Sequence, residues 1–176
     1  MELSASYSFA AAPQTVWDLL NDPNVVATCL PGCKRLEPIG DDRYRAFLNL
    51  VVASVSGEYD ATVAMLDKRS PLSYRLVVDG SGKSGFMKGE ATVELAPQDD
   101  GTIVSVKGSG QVGGRVARVG QRLLGGVSKL MMDRFFARLR KKAQGSEIDD
   151  LGSEIGDPEI GDQGSGIGDQ EPESGD

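Results

Sequence analysis

The stretch GGRVARVGQRLLGGVSKLMMDRFFARLRKK, Gly113 to Lys142, decides how the rest of the chain is read. From Arg115 to Lys142 it holds nine Lys or Arg and a single acid, Asp133. Val116, Val119, Leu123, Val127 and Leu130 recur at helical spacing along one stripe, and Leu124, Met131, Phe135 and Leu139 along a second, rotated one. The spacing predicts one basic amphipathic helix, about 40 Å long if unbroken. The stripe shifts at Gly125-Gly126. Because a helix-interior glycine costs about 1 kcal/mol relative to alanine, a close packing, a bend or bound material is expected there.

Upstream of this helix the period changes to two. Residues 43 to 112 alternate almost throughout, with turn chemistry at Gly57, Ser70-Pro71, Gly80 to Gly85 and Gln98 to Gly101. Tyr59, Ala61, Val63 and Met65 share one face, as do Leu72, Tyr74, Leu76 and Val78, then Met87, Ala91, Val93 and Leu95, then Val104 and Val106. A longer strand over Ala46 to Ala53 and a short one over Lys34 to Pro38, after the Pro31-Gly32 turn, precede these four. At the start, Leu3, Ala5, Tyr7 and Phe9 alternate with Glu2, Ser4, Ser6 and Ser8 as a half-buried strand. Ala12-Pro13 opens a short helix with Val16, Trp17, Leu19 and Leu20 on its apolar face, and Asn21-Asp22-Pro23 stops it and caps a second. Seven antiparallel strands with one dry face twist, curve and need a cover, which the long helix supplies.

Composition narrows the function. The formal charge of −7 hides two parts of opposite sign, because the last 32 residues carry eleven acids and no base, leaving 15 acids against 19 bases in residues 1 to 144. No run approaches the roughly 18 apolar residues of a membrane span. The opening MELSASYSFAAAPQ has neither a basic leader nor a long apolar core, so no secretory signal is expected and the cytoplasm is the default compartment. The chain has no histidine, which removes the commonest general base, the usual haem ligand and His-containing zinc sites. Its two cysteines, Cys29 and Cys33, are too few for an iron-sulfur cluster or an all-cysteine zinc site, and are expected as small buried apolar residues. No metal site is expected.

The order strand, two short helices, six strands, long helix is that of the helix-grip fold of the START and Bet v 1 (SRPBCC) group, an α+β fold. Closer resemblance lies in Leu30-Pro31-Gly32-Cys33, in GDDRYRA at 40 to 46, in GSGKSGFMKGEATVEL at 80 to 95, and in VGGRVARVGQRLL at 112 to 124 ahead of Phe135-Phe136. In ordered combination these resemble the CoxG family, accessory proteins of aerobic molybdenum carbon monoxide dehydrogenase. Val52 to Gly57 departs from the pattern, where many relatives have a Gly-Pro turn. The resemblance covers residues 1 to 142, and a helix-grip domain over 1 to 144 is expected. From Gly145 to Asp176 the composition is Gly, Ser, Asp, Glu and Pro, with Ile-Gly-Asp recurring at 155, 160 and 167, and a disordered acidic tail is expected.

A curved sheet gripping a helix leaves space between them, where a pocket of ~300 to 1,000 Å³ is a reasonable expectation. Its expected lining is Leu50, Tyr59, Tyr74, Leu76, Met87, Leu123, Val127 and Met131; on pattern alone these residues also fit a solid core, and the resemblance favours a cavity. The strand acids Glu58, Asp60, Glu90 and Glu94 fall on the polar face and the serines lack a histidine partner, so no catalytic group is assigned. Basic residues without interleaved aromatics disfavour nucleic acid. The resemblance implies a non-enzymatic accessory protein working with the dehydrogenase complex and holding a lipophilic molecule. A non-covalently bound respiratory quinone such as menaquinone, or a lipid, is the physically sensible ligand. Arg118, Arg122, Lys129, Arg138, Lys141 and Lys142 are the expected contacts to the inner face of the cell membrane, in peripheral association. The alternatives are a membrane-recruitment factor with a solid core and a small cyclase- or hydrolase-type enzyme acting on a hydrophobic substrate.

Overall fold

The computed structural model of the chain describes residues 1–52 and 55–145. Strand β1 (Glu2–Phe9) leads into helices α1 (Pro13–Leu20) and α2 (Pro23–Cys29). Six strands follow: β2 (Cys33–Gly40), β3 (Arg43–Leu50), β4 (Gly57–Arg69), β5 (Ser73–Gly82), β6 (Gly85–Gln98) and β7 (Gly101–Gly113). A 3-10 helix (Arg115–Val119) and helix α3 (Gln121–Ala143) complete the described residues. All seven strands form one antiparallel sheet in the order β1-β7-β6-β5-β4-β3-β2.

Local chemistry accounts for the joints. Pro13 and Pro23 occupy first helical turns, where a missing N–H costs nothing, and the Asp22 carboxylate caps α2 by accepting from the Asn24 amide at 3.0 Å. The two-residue connections Asp41-Asp42 and Asp99-Asp100 place Asp42 and Asp99 at φ of 54° and 52°, a conformation aspartate tolerates in tight hairpins. Thr102, which is buried, donates its hydroxyl to the Ala11 carbonyl at 2.7 Å and so ties the entry of α1 to β7.

Register puts Leu3, Ala5, Tyr7 and Phe9 of β1 on the same face as Val104 and Val106, Val93 and Leu95, Tyr74 and Leu76, and Val63 and Met65. That face turns toward α3. The strands approach closely at Gly108, where a Cβ would lie 2.9 Å from the Ala91 Cβ and 2.7 Å from the Glu90 carbonyl, so only glycine fits between them. The outer face carries exposed ion pairs, among them Arg45 with Asp60 at 2.6 Å and Arg75 with both Asp67 and Glu90. The sheet's two edges differ. At β2 the register breaks near both ends, Pro38 offers no N–H, and Lys34, Arg35 and Glu37 are exposed. At β1 the Arg140 Nε–H donates to the Ser8 carbonyl at 2.9 Å.

Several expectations from sequence change in detail. The helical stretch from Gly113 is not continuous: Gly120, at φ +91°, separates the 3-10 helix from α3, and the break lies there and not at Gly125-Gly126. Within α3, Leu124 and Leu139 of the expected stripe are buried, but Phe136 takes the place of the half-buried Phe135 because it is the ring that stacks on Tyr7 of β1. β3 begins at Arg43 and stops at Leu50, three residues short of Ala53. Leu72 lies in the turn before β5, 55% exposed, with its carbonyl accepting from the Leu95 amide. β2 is longer than Lys34 to Pro38, and the expected tail, apart from Gly145, falls outside the described residues.

Gly125 and Gly126 are not sites of close packing, because a Cβ at either meets nothing within 4 Å. Gly125→Ala and Gly126→Ala should each stabilise the domain by about 1 kcal/mol through helix propensity alone, a rise of about 3–5 °C in melting temperature by circular dichroism. A fall would show that the glycines relieve a constraint within the fold.

Candidate functional site

Helix α3 is attached at its two ends by different means. Toward its C-terminus, Phe136 and Leu139 enter the main core with Phe9, Val16, Trp17, Leu95 and Val104, and Met132 and Phe135 pack at its margin. The Tyr7 ring stacks on Phe136 with centroids 4.2 Å apart, and its hydroxyl donates to Asp133 Oδ1 at 2.7 Å. Lys129 Nζ donates to the same carboxylate at 2.9 and 3.0 Å. Burial first, and then the bond to Asp133, push the Tyr7 hydroxyl well above the ordinary range of tyrosine. Burial would raise the Asp133 carboxyl, but the hydrogen bonds from Tyr7 and Lys129 outweigh it and hold the group below its ordinary value. The single acid of the helix is thus the latch that joins it to β1.

Toward its N-terminus α3 rests on a separate, smaller cluster. Val55, Val116 and Leu124 are buried together there, with Val52, Val112, Val119, Val127 and Met1 packed around them. The Tyr59 hydroxyl donates to the Val55 carbonyl at 2.7 Å and holds the β3–β4 connection in place. Between the two attachments the helix backbone runs closest to β1, α1 and α2, and stands off β3, β4 and β5. Inward-facing Leu48, Leu50, Tyr59, Val63 and Val78 on those strands are accordingly only half-buried. So are Leu123, Val127, Leu130 and Met131 on α3. Small residues in neighbouring register positions, Ala46, Ala61, Gly80, Gly89 and Gly110, keep the floor between them low. The result is an apolar groove, closed at one end by the main core and at the other by the β3–β4 connection.

The eight residues expected to line a cavity separate. Tyr59 and Val127 meet around Val55, Leu50 ends β3 beside Gly32, and Leu123 and Met131 are half-buried on α3. Tyr74 lies instead in the main core, edge-to-face with Trp17 at 5.5 Å, and Leu76 packs against that core. Met87 is 40% exposed near the start of β6, outside both buried clusters. Val52 and Val55 are the residues that sequence reading missed, since Val52 fell within an expected strand that in fact ends at Leu50. The alternating small residues of β4 to β7 were a visible signal for the groove floor.

The six expected membrane contacts also divide. Arg118, Arg122 and Lys141 are exposed, Arg138 and Lys142 are half-buried, and Lys129 is engaged by Asp133. Burial pushes the Cys29 thiol up to about 11, against the opposing charges of Lys142 and Arg138, and burial raises Cys33 as well, so both are protonated at neutral pH. Among the described residues no group of three or more acids or cysteines is placed to hold a metal ion, and no helix is long and apolar enough to cross a membrane. A depression of about 480 Å³ opens on the outer face, lined by Met1, Glu2, Val77, Asp79, Lys88 and Glu90 among others.

The family model for the G subunit of carbon monoxide dehydrogenase (CoxG) matches residues 6–144. The chain belongs to the CoxG family. Among solved structures, the CoxG chain is similar to a conserved protein from Geobacillus kaustophilus, with 38% identity and a TM-score of 0.81 over 82% of this chain and 96% of that one. It shares its fold with a START superfamily protein from Mycobacterium smegmatis, at 12% identity and a TM-score of 0.63 over 82% and 97% of the two chains. A protein from Thermus thermophilus has the same fold at 16% identity and a TM-score of 0.62, over 82% and 98%. No curated protein matches the chain.

The latch of this CoxG chain sets a pH window. The lowered Asp133 group contributes stability that is present above its ordinary value of 3.8 and is lost as pH falls through its folded value; the raised Tyr7 group contributes stability present below 10.0 and lost as pH rises through its own. Tyr7→Phe keeps the stack on Phe136 and removes only the hydrogen bond, so it should cost about 1 kcal/mol near neutrality. Asp133→Asn should shallow the acid limb of the stability curve below pH ~4. Denaturant titration across pH checks both.

Proposed function

We propose that this CoxG-family chain is a non-enzymatic carrier of the carbon monoxide dehydrogenase system that holds a lipophilic molecule in the groove between α3 and strands β3 to β5. The observation that carries the reading is the row of inward-facing apolar side chains, Leu48, Leu50, Tyr59, Val63 and Val78, left half-exposed under a helix that stands away from them. Apolar surface held open in this way is stabilised by an apolar occupant at roughly 25 cal/mol per Å² covered. Few polar groups line the groove and the Tyr59 hydroxyl is already committed to Val55, which favours a ligand recognised by shape and hydrophobicity. A quinone of the menaquinone type has that character, and electrons released by oxidation of carbon monoxide must reach such a molecule in the membrane. The protonated cysteines and the absence of histidine support a binding role over a catalytic one. Exposed Arg118, Arg122 and Lys141 supply attraction to an anionic membrane face, at ~1 kcal/mol each at best.

Native mass spectrometry of the full chain purified without detergent should show a bound lipophilic mass, extractable into organic solvent. Val127→Trp and Met131→Trp should abolish it while leaving the melting temperature within a few degrees, because both side chains are only half-buried. Unfolding by ~1–3 kcal/mol or more, as overpacking produces, would instead mean a filled core and defeat the carrier reading.

A further inference from the structure

Three segments meet at the end of the sheet where the groove is closed by the β3–β4 connection. Leu50 pairs with Gly57 at the base of that connection, Gly82 pairs with Gly85 in the β5–β6 hairpin, and Phe86 pairs with Gly113 at the end of β7. The Val116 amide donates to the Ser84 carbonyl at 2.8 Å, so the 3-10 helix is bonded to the hairpin, and Val116 packs with Val55 of the connection. This tip holds three of the five large apolar side chains most exposed among the described residues: Val51 at 59%, Phe86 at 44% and Met87 at 40%. The hairpin, the 3-10 helix and the first turn of α3 at this tip also carry cations. Lys83, Arg115, Arg118 and Arg122 are all exposed, and none has an ion pair among the described residues. Residues 49–57, 80–87 and 110–126 contain no acid. The nearest acids along these strands, Glu58, Asp79 and Glu90, point to the outer face, where Asp79 and Glu90 face Lys88 and Arg75.

Exposed apolar side chains and unpaired cations on the same acid-free segments match one kind of surface, an anionic lipid headgroup layer over hydrocarbon. Lys and Arg gain from the headgroups while the apolar tips gain by leaving water. We infer that this three-segment tip is the membrane-docking surface of the chain, with Val51, Phe86 and Met87 entering the headgroup boundary and Lys83, Arg115, Arg118 and Arg122 on the lipid phosphates. This places the docking contact at the end of the molecule, where the expectation from sequence placed it along the back of α3 as far as Lys142. It also brings the β3–β4 connection, which closes the groove with the small Val55 cluster, against the bilayer. The inference rests on the carrier reading for its biological setting, and its test separates the two.

The full chain is floated with vesicles of phosphatidylcholine and with vesicles in which part of that lipid is replaced by phosphatidylglycerol. Binding to the anionic vesicles is expected, falling about fivefold for each of Lys83→Gln and Arg118→Gln, the equivalent of ~1 kcal/mol per base. Val51→Asp should lower it at least as much, and Phe86→Ser likewise, with melting curves checking that each variant is folded. Lys141→Gln with Lys142→Gln removes charge from the far end of α3 and should change binding by less than about twofold, since that end is several Debye lengths away. Equal losses at the two ends, or no vesicle binding by the unmodified chain, would overturn the proposal, and the latter would make the tip a protein-facing surface. A short-chain quinone, titrated into the same proteins without lipid, reports on the carrier reading alone: vesicle binding without quinone binding leaves the tip standing and sinks the carrier.

Discussion

A sheet of seven strands is roughly 30 Å across and a helix only about 10 Å wide, so one helix lying on such a sheet covers little more than two strands. Everything else in this chain answers that mismatch. The helices α1 and α2 cover one end of the dry face with Val16, Trp17, Leu20 and Cys29, and α3 covers the β1 side with Phe136 and Leu139. What is left still shows apolar side chains to solvent. The groove is thus a consequence of element count and width, and the residues facing it decide only what it accepts.

The two attachments of α3 differ in kind. One is a dense core reinforced by the Tyr7–Asp133–Lys129 group, whose partly buried carboxylate is satisfied from two sides. The other is three buried side chains contributed by three segments, the β3–β4 connection, the 3-10 helix and α3 itself. A fully buried aliphatic side chain contributes about 1.5–3 kcal/mol, so the second attachment is the weaker by a wide margin. Gly120 beside it carries no side-chain cap, and the glycines one turn further on touch nothing.

Most of the architecture was legible because period two and period 3.6 are separate signals, and both are strong here. The strands around Tyr59 to Met65 and Val93 to Val106 alternate cleanly because one face is dry and the other carries ion pairs such as Arg45 with Asp60. Periodicity reports which way a side chain points within its own element and is silent on how far the next element stands. Tyr74 and Val63 share a face of the sheet in sequence terms, yet one is packed against Trp17 and the other borders the groove. Helical phase is likewise local. Phe135 and Phe136 both stand one turn before Leu139, and it is the Tyr7 ring on β1 that decides which of them is buried.

A protein that keeps an apolar groove open to water must avoid sticking to copies of itself, and the sheet edges bear on this. The β2 edge combines a proline, exposed Lys34, Arg35 and Glu37, and two interruptions of register, each of which spoils the continuous row of donors and acceptors that another strand would need. On the β1 edge, Arg140 already occupies the Ser8 carbonyl. Edge-to-edge polymerisation is thereby obstructed by residues that have no part in the groove. The chain is able to carry exposed hydrophobic surface because a principal route to its aggregation has been closed elsewhere.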